Sequence, residues 1–232
     1  MIEMARRFVR QKFGSPGLAV ALAVLALVET FGLAHGAGPS GFTIANWAIF
    51  VLAAGSVSRD ISSGALQMIL SRPIRRTQYL FGRYAGILIA FALFLVFTSL
   101  LALAVVNLAA PAAAATVSLA RLGTLIVETL LSGAFTAAIL LFFSTFLPGI
   151  ADLLGLLILY IVLHLPGGAG TALTRVTEAA RENMIPDVPW RDLPSGEGAA
   201  LAAAGRWVFA LTVYLALAAV IFSRRELPYG ND

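Results

Sequence analysis

Few side chains in this sequence could do chemistry, and they do not group as a catalytic site requires. Ser132-Gly133 and His164 are residue types that an intramembrane serine protease uses as nucleophile and base. Ser132 falls in the middle of one apolar run, however, whereas His164 falls near the end of another. His35 and His164 alone would make a poor metal site, because neither carboxylate nor thiolate ligands accompany them. The sequence therefore predicts no catalytic residue and no metal ligand.

Nucleotide binding is a second chemistry that the sequence does not support. The phosphate-cradling pattern G-x-x-x-x-G-K-[ST] is missing, and Lys12 is the only lysine. Such a loop needs glycines for close backbone approach and a lysine for the phosphates. If ATP and Mg²⁺ are used, we expect a separate chain to bind them, and we expect this chain to bind no cofactor.

Two acids within apolar runs are candidates for a functional site. Glu128 lies about six residues into one run, with Arg121 two helical turns before it, and Glu29 lies late in another. An ionisable group inside a bilayer is costly and is a functional-site hypothesis by default. Two interpretations stay open for both acids: a structural partner within the protein, or contact with a translocated substrate.

The elements that position these residues are predicted from composition. The chain has 232 residues, of which 59% are hydrophobic and 12% charged, whereas soluble domains are roughly 45–50% apolar and about 25% charged. We therefore predict an all-α polytopic membrane protein with one transmembrane domain over residues 1–232. The six predicted spans cover residues 17–34, 42–57, 84–109, 122–147, 148–165 and 207–223.

The arginines predict how these spans are oriented. Basic residues accumulate in the N-terminal arm, between the second and third spans, and in the tail, which six spans place on one side. Cytoplasmic loops carry such an excess. We expect a multi-pass protein of the inner (plasma) membrane, with both termini cytoplasmic and loop 166–205 outside. That loop contains a predicted amphipathic helix, "TALTRVTEAARENM". The N-terminal arm "MIEMARRFVRQKFGS" is either an amphipathic helix in the headgroup layer or a disordered basic start.

The stretch "SRDISSGALQMILSRPIRRTQYLFGR" separates the second and third predicted spans. Helical spacing places Ile61, Ala65 and Met68 on one face of a predicted helix from Asp60 to Ser71. Pro73 disfavours helix at the residue before it and predicts the end. This amphipathic helix either rests on lipid headgroups through its arginines or docks a cytoplasmic partner.

The same stretch resembles the cytoplasmic loop of type-2 ABC transporter permeases. The matching positions are Asp60, Gly64, Met68 to Leu70, Ser71-Arg72-Pro73, Arg76 and Gly82-Arg83. The resemblance implies that residues 59–71 form a coupling helix seated in a groove of an ATP-binding subunit. The residues that it assigns to this contact are Arg59, Asp60, Gly64, Leu66, Gln67, Leu70, Ser71, Arg72, Pro73 and Arg76. It further implies two copies of the ATPase and a second permease copy, identical or paralogous.

These observations predict a permease subunit of an ATP-driven transporter, an exporter by resemblance, without catalytic activity of its own. The expected partners are the ATPase, the second permease and membrane lipid, and not nucleic acid. Two alternatives stay open. One is a membrane scaffold or assembly factor that docks a partner and moves nothing, and the other is an ion-coupled secondary transporter that uses Glu128 and Glu29.

Overall fold

All regular elements that the structure describes are helices, which confirms the predicted all-α class. The computed structural model describes residues 2–34, 42, 44–66, 74–109, 119–149, 151–164, 172–190, 192–193 and 196–225. The helices are α1 (Ile2–Phe13), α2 (Pro16–Ala34), α3 (Ala48–Ala53), α4 (Ser58–Ser62), α5 (Arg76–Ala109), α6 (Leu119–Ser144), α7 (Ala151–Leu163), α8 (Ala172–Met184) and α9 (Gly198–Arg224), with a 3₁₀ turn at Ala45–Trp47 before α3.

Three of these helices are long and apolar enough to cross a membrane. They contain the candidate spans Arg76–Leu108, Leu122–Ser144 and Gly198–Arg224. Arg6–Phe13 and Pro16–Gly32 give a fourth candidate only when taken together, and this pair bends by 83°. Because a crossing takes about 20 residues, the described part of the chain supports three or four spans. The predicted count of six is not confirmed.

The predicted span 42–57 is not one helix. It contains the 3₁₀ turn, the six-residue α3, and a turn in which Gly55 has a φ of 63°. Six residues rise roughly 9 Å, which is far less than a bilayer. Ile49 and Leu52 are fully buried within the protein. This apolar run therefore reflects packing against other parts of the chain, which hydropathy alone cannot distinguish from contact with lipid.

Other helices differ from the predicted spans at their ends. The third predicted span begins at Arg76 rather than at 84, and the last at Gly198 rather than at 207. Hydropathy marks where apolar residues begin, whereas the backbone stays helical through the polar residues before them. The predicted span 148–165 is represented by α7, whose 13 residues rise roughly 20 Å and are too short to cross alone.

The chain forms two compact units. The first contains Met1–Ser56 and Gln78–Ala137, and the second contains Val57–Thr77 and Ala138–Asp232. In the first unit, α1 packs on α5 through Phe8, whose side chain is only 1% exposed. A Cβ atom at Gly86 would lie 3.0 Å from the Cβ of Phe8, so a glycine is needed at this contact.

A buried arginine strengthens the contact between α1 and α5. The guanidinium of Arg83 lies 5.1 Å from the ring centroid of Phe8, and its Nε donates to the hydroxyl of Tyr79 at 3.2 Å. Aromatic rings attract guanidinium groups at such distances. The predicted N-terminal helix therefore exists as α1 and is fixed to the first unit, while its position in a headgroup layer remains a prediction.

Contacts of α9 hold the second unit together. The ring of Tyr214 lies 5.8 Å from that of Phe142 on α6, and its hydroxyl donates to the main-chain oxygen of Met184 at 3.3 Å. Trp207 meets Trp190 edge to face at 5.3 Å. Met184 ends α8, which forms within the predicted loop 166–205. The loop is thus partly helical and is attached to α9.

Candidate functional site

The candidate site is the segment from Ser58, the first residue of α4, to Arg76, the first residue of α5, which we call the coupling loop (residues 58–76). Its start is fixed by Ser144 at the end of α6. The Oγ atom of Ser144 accepts hydrogen bonds from the backbone N–H groups of Val57 and Ser58, each at 3.1 Å. Ser144 is fully buried. Because a buried N–H group must have an acceptor, this one hydroxyl satisfies two donors at the entry to α4.

A second bond ties the loop to the turn between α6 and α7. The hydroxyl of Ser58 donates to the main-chain oxygen of Gly149 at 2.6 Å. Gly149 has a φ of 62°, a conformation that favours glycine. Asp152 lies fully buried in the first turn of α7, where a carboxylate complements the helix dipole. The α6–α7 turn is therefore a defined anchor for the start of the coupling loop.

The loop does not form the continuous helix that was predicted from Asp60 to Ser71. The helix α4 ends at Ser62, and Gly64 follows with a φ of 70°. Such a residue cannot continue a right-handed helix. Helical backbone resumes at Ala65 and Leu66. A left-handed glycine therefore breaks the predicted helix, a feature that the spacing of apolar residues does not reveal.

The predicted partner-binding residues are found in different environments. Arg59 is exposed, Gly64 is half-buried, and Asp60 and Leu66 are buried, the latter at 1% exposure. The surface of α4 and the turn after it therefore presents Arg59 with its neighbours Ser62 and Ser63. The predicted contact residues outside the described ranges are Gln67, Leu70, Ser71, Arg72 and Pro73.

Arg76, at the other end of the loop, binds within the chain. Its Nη1 donates to the main-chain oxygens of Ser223 at 3.1 Å and Arg225 at 2.6 Å. The last carbonyl groups of a helix have no partner in the helix itself, and a cation there also suits the helix dipole. Arg76 thus caps the C-terminal end of α9. Arg225 in turn donates to the main-chain oxygen of Thr145, just after α6.

The two acids that were predicted to lie within the membrane, Glu29 and Glu128, both belong to the first unit. The Oε2 atom of Glu29 accepts from the backbone N–H groups of Ile44 and Ala45, each at 2.7 Å. This carboxylate is 6% exposed and holds the start of the 3₁₀ turn. The finding favours the structural interpretation of Glu29. Glu128 is half-buried on α6, and both of its interpretations stay predictions.

The residues considered for catalysis show ordinary local contacts. Ser132 is exposed on α6. The His164 ring stacks on Tyr160 at 3.9 Å between centroids, and its Nδ1 lies 2.9 Å from the main-chain oxygen of Tyr160. His35 lies outside the described residues. Within the described ranges, His, Asp and Glu side chains do not form a group of three that could hold a metal ion.

Sequence reasoning missed Ser144 and Arg225. A signal for Ser144 is present in "FFSTFLPG", where two hydroxyl residues end a long apolar run directly before a Pro-Gly turn. Polar residues at such a point must find partners. Arg225 was interpreted only as a topological signal. Neither contact could be located from sequence, because each joins segments more than 75 residues apart.

The contacts described at this site connect the loop to neighbouring helices. They are not arranged to make or break covalent bonds. The coupling loop is fastened at its start to the end of α6 and the α6–α7 turn and at its end to α9, and its described residues Arg59, Ser62 and Ser63 are exposed. A family described as ABC-2 family transporter protein matches residues 29–186, which is more than half of the chain and includes the whole loop. Among curated proteins, no match to the chain was found. The chain therefore belongs to the ABC-2 transporter family and is a membrane permease component of an ABC transporter.

Proposed function

We propose that this permease works as an exporter subunit that a separate ATPase drives through the coupling loop. The observation that carries the proposal is the attachment of the loop at both ends, by Ser144 and by Arg76, with Arg59 exposed between them. A partner that pressed on Arg59 and its neighbours would move a segment whose ends are hydrogen-bonded to α6 and α9. Displacement of Arg59 would reach α6 through the adjacent residues Val57 and Ser58, whose N–H groups are bonded to Ser144.

The ATPase would supply what the chain lacks. ATP and Mg²⁺ would bind on the partner, because the sequence has no P-loop. We expect two ATPase subunits and a second permease copy, in the inner membrane, with both termini and the coupling loop on the cytoplasmic side. Closure of the ATPases would bias the permease between two states, and that shift requires the partner to contact the two states differently. Export as the direction is supported by the resemblance of the loop.

Charge reversal of Arg59 tests the proposal. The tagged chain is solubilised gently from its native membrane, the proteins that accompany it are identified, and ATP hydrolysis is measured. We expect a stoichiometric P-loop ATPase with the wild type and its loss with Arg59→Glu. Arg175→Glu is the matched control, because Arg175 is an exposed arginine on α8 in the predicted outer loop. The control should retain the ATPase.

The alternatives give different results in the same experiment. A chain that purifies without any P-loop ATPase would contradict the proposal and favour the scaffold or the ion-coupled transporter. An ATPase lost equally with Arg59→Glu and Arg175→Glu would show that the coupling loop is not the contact. Circular dichroism of each variant shows whether the chain still folds.

A further inference from the structure

Two neighbouring cavities in the first unit are not used by the proposed coupling. One has a volume of about 450 Å³, and the described residues that line it are apolar: Phe13 of α1, Ala19, Leu22 and Ala23 of α2, and Leu93, Phe94 and Phe97 of α5. The other has about 460 Å³ and is lined by Arg6, Val9, Arg10 and Ile89. We call them the apolar cavity and the arginine cavity. Both volumes lie within the range of ligand pockets, roughly 300–1,000 Å³.

The two cavities follow one another along the same pair of helices. On α1, Arg10 of the arginine cavity and Phe13 of the apolar cavity are three residues apart. On α5, Ile89 and Leu93 are four residues apart. Residues three or four apart are neighbours on one helix face. The cavities are therefore the charged and apolar parts of one groove beside α1 and α5.

Two positive charges line this groove without an acidic partner among the described residues. Arg6 and Arg10 are exposed, and among the described residues neither guanidinium forms an ion pair. Arg7, which lies between them in sequence, is paired with Glu3 at 2.9 Å. The spacing of Arg6 and Arg10 places both on one helix face, where they can bind one anionic group together.

The bend between α1 and α2 determines how the groove is oriented relative to the membrane. The two helices meet at 83°. With 19 residues, α2 alone is close to the roughly 20 residues that a crossing takes. When α2 crosses the bilayer by itself, the bend places α1 close to the membrane surface, with its arginines at headgroup level. The apolar cavity then extends along α2 and α5 into the hydrocarbon. An amphiphile with an anionic head and an apolar tail fits this arrangement.

We propose that the groove binds one anionic phospholipid, with the phosphate on Arg6 and Arg10 and an acyl chain in the apolar cavity. Guanidinium groups bind phosphate oxygens with strong, often bidentate hydrogen bonds. A lipid tail gains little by leaving other tails for an apolar protein surface. Selection must therefore come from charge, and basic pockets beside membrane helices select anionic headgroups. The groove discriminates anionic from zwitterionic lipid.

Lipid retention by the purified full-length chain tests this assignment without any ATPase. The chain is held in detergent micelles with equal amounts of phosphatidylglycerol and phosphatidylcholine, and retained lipid is counted by native mass spectrometry. We expect one phosphatidylglycerol, preferred about tenfold or more over phosphatidylcholine. The double variant Arg6→Gln/Arg10→Gln should lose this preference. Arg7→Gln is the matched control on the same helix and should keep it.

A second pair of variants tests the apolar cavity. Ala23→Phe fills the cavity and should abolish retention of the lipid, whereas Val24→Phe, on an exposed residue beside it that does not line the cavity, should not. Three results would overturn the proposal. They are equal retention of the two lipids by the wild type, an equal effect of Arg7→Gln and the double variant, and displacement by glycerol 3-phosphate as readily as by short-chain phosphatidylglycerol. The last would indicate a site for free anions.

Discussion

The Nη1 atom of Arg76 lies 2.6 Å from the main-chain oxygen of Arg225. This bond joins the first residue of α5 to the residue that follows α9. It holds the end of the coupling loop against the C-terminal end of α9. Because the same Nη1 group also donates to Ser223, both of its hydrogens have acceptors.

Replacing Arg76 with alanine should detach the end of the coupling loop from α9 and lower the free energy of unfolding. Hydrogen bonds from charged groups contribute about 1.5–3 kcal/mol when buried. Arg76 is only half-buried, so we expect a loss of about 1 kcal/mol in the free energy of unfolding. Thermal unfolding in detergent and ATP hydrolysis by the assembled transporter are the measurements. Arg224→Ala, which removes an exposed neighbouring arginine, should change both much less, and an equal effect would contradict the cap.

The sequence predicted the all-α class correctly, whereas the count of six spans is not confirmed and the contacts between distant segments were not predicted. Composition was sufficient for the all-α membrane class, because long apolar runs without charge have few other uses. The coupling loop was located by its arginines and by its resemblance to a family. The break at Gly64 was missed, since the pattern of apolar residues continues through it. The predicted span 42–57 is not one helix, and its residues Ile49 and Leu52 are buried in protein. Burial in protein requires the same apolar side chains as contact with lipid, so hydropathy does not separate the two.

Ser144→Ala should loosen the entry to the coupling loop. The change leaves the N–H groups of Val57 and Ser58 without their acceptor, and each unsatisfied buried donor costs about 1–3 kcal/mol. We expect faster hydrogen exchange at these two amides and a lower unfolding temperature. Ser132→Ala, an exposed serine on the same helix, is the control. If exchange at Val57 and Ser58 stayed slow in Ser144→Ala, the hydroxyl would not be the anchor.

Gly133→Ala should disturb the packing of α5 against α6 in the first unit. A Cβ atom at this position would collide with the ring of Phe91. Small residues allow membrane helices to approach closely, and overpacking costs roughly 1–3 kcal/mol. Gly123→Ala is a matched control, because a Cβ atom there meets nothing within 4 Å. Thermal unfolding should separate the two variants, and equal unfolding temperatures would disprove the close contact.

The candidate site was only partly accessible to sequence reasoning for a physical reason. Exposed residues such as Arg59 can be identified from charge and local pattern alone. The partners that fix the loop lie far along the chain, as Ser144 does for Ser58. Nothing in the local sequence specifies which distant hydroxyl meets which backbone group. Arg76 is an example, since its bonds to the main-chain oxygens of Ser223 and Arg225 were not predicted, while its contact with a partner stays a prediction.

Variants of Glu29 test whether this acid of a predicted span serves structure or transport. Its Oε2 atom accepts from the N–H groups of Ile44 and Ala45 at 2.7 Å each. Bonds to a charged acceptor contribute about 1.5–3 kcal/mol, so Glu29→Ala should lower the free energy of unfolding by about 2–4 kcal/mol. Glu29→Gln keeps an acceptor oxygen without the charge and should lose less.

The measurements for Glu29 are thermal unfolding and hydrogen exchange at Ile44 and Ala45. Both amides should exchange faster in Glu29→Ala, while Val28→Ala, a truncation of an exposed neighbour on α2, should leave them unchanged. Total transport should fall only as far as the folded fraction does, so transport per folded molecule should stay near that of the wild type. A Glu29→Gln protein with normal stability and exchange but no transport would contradict the structural role, because only contact with a substrate or a proton would then explain the loss.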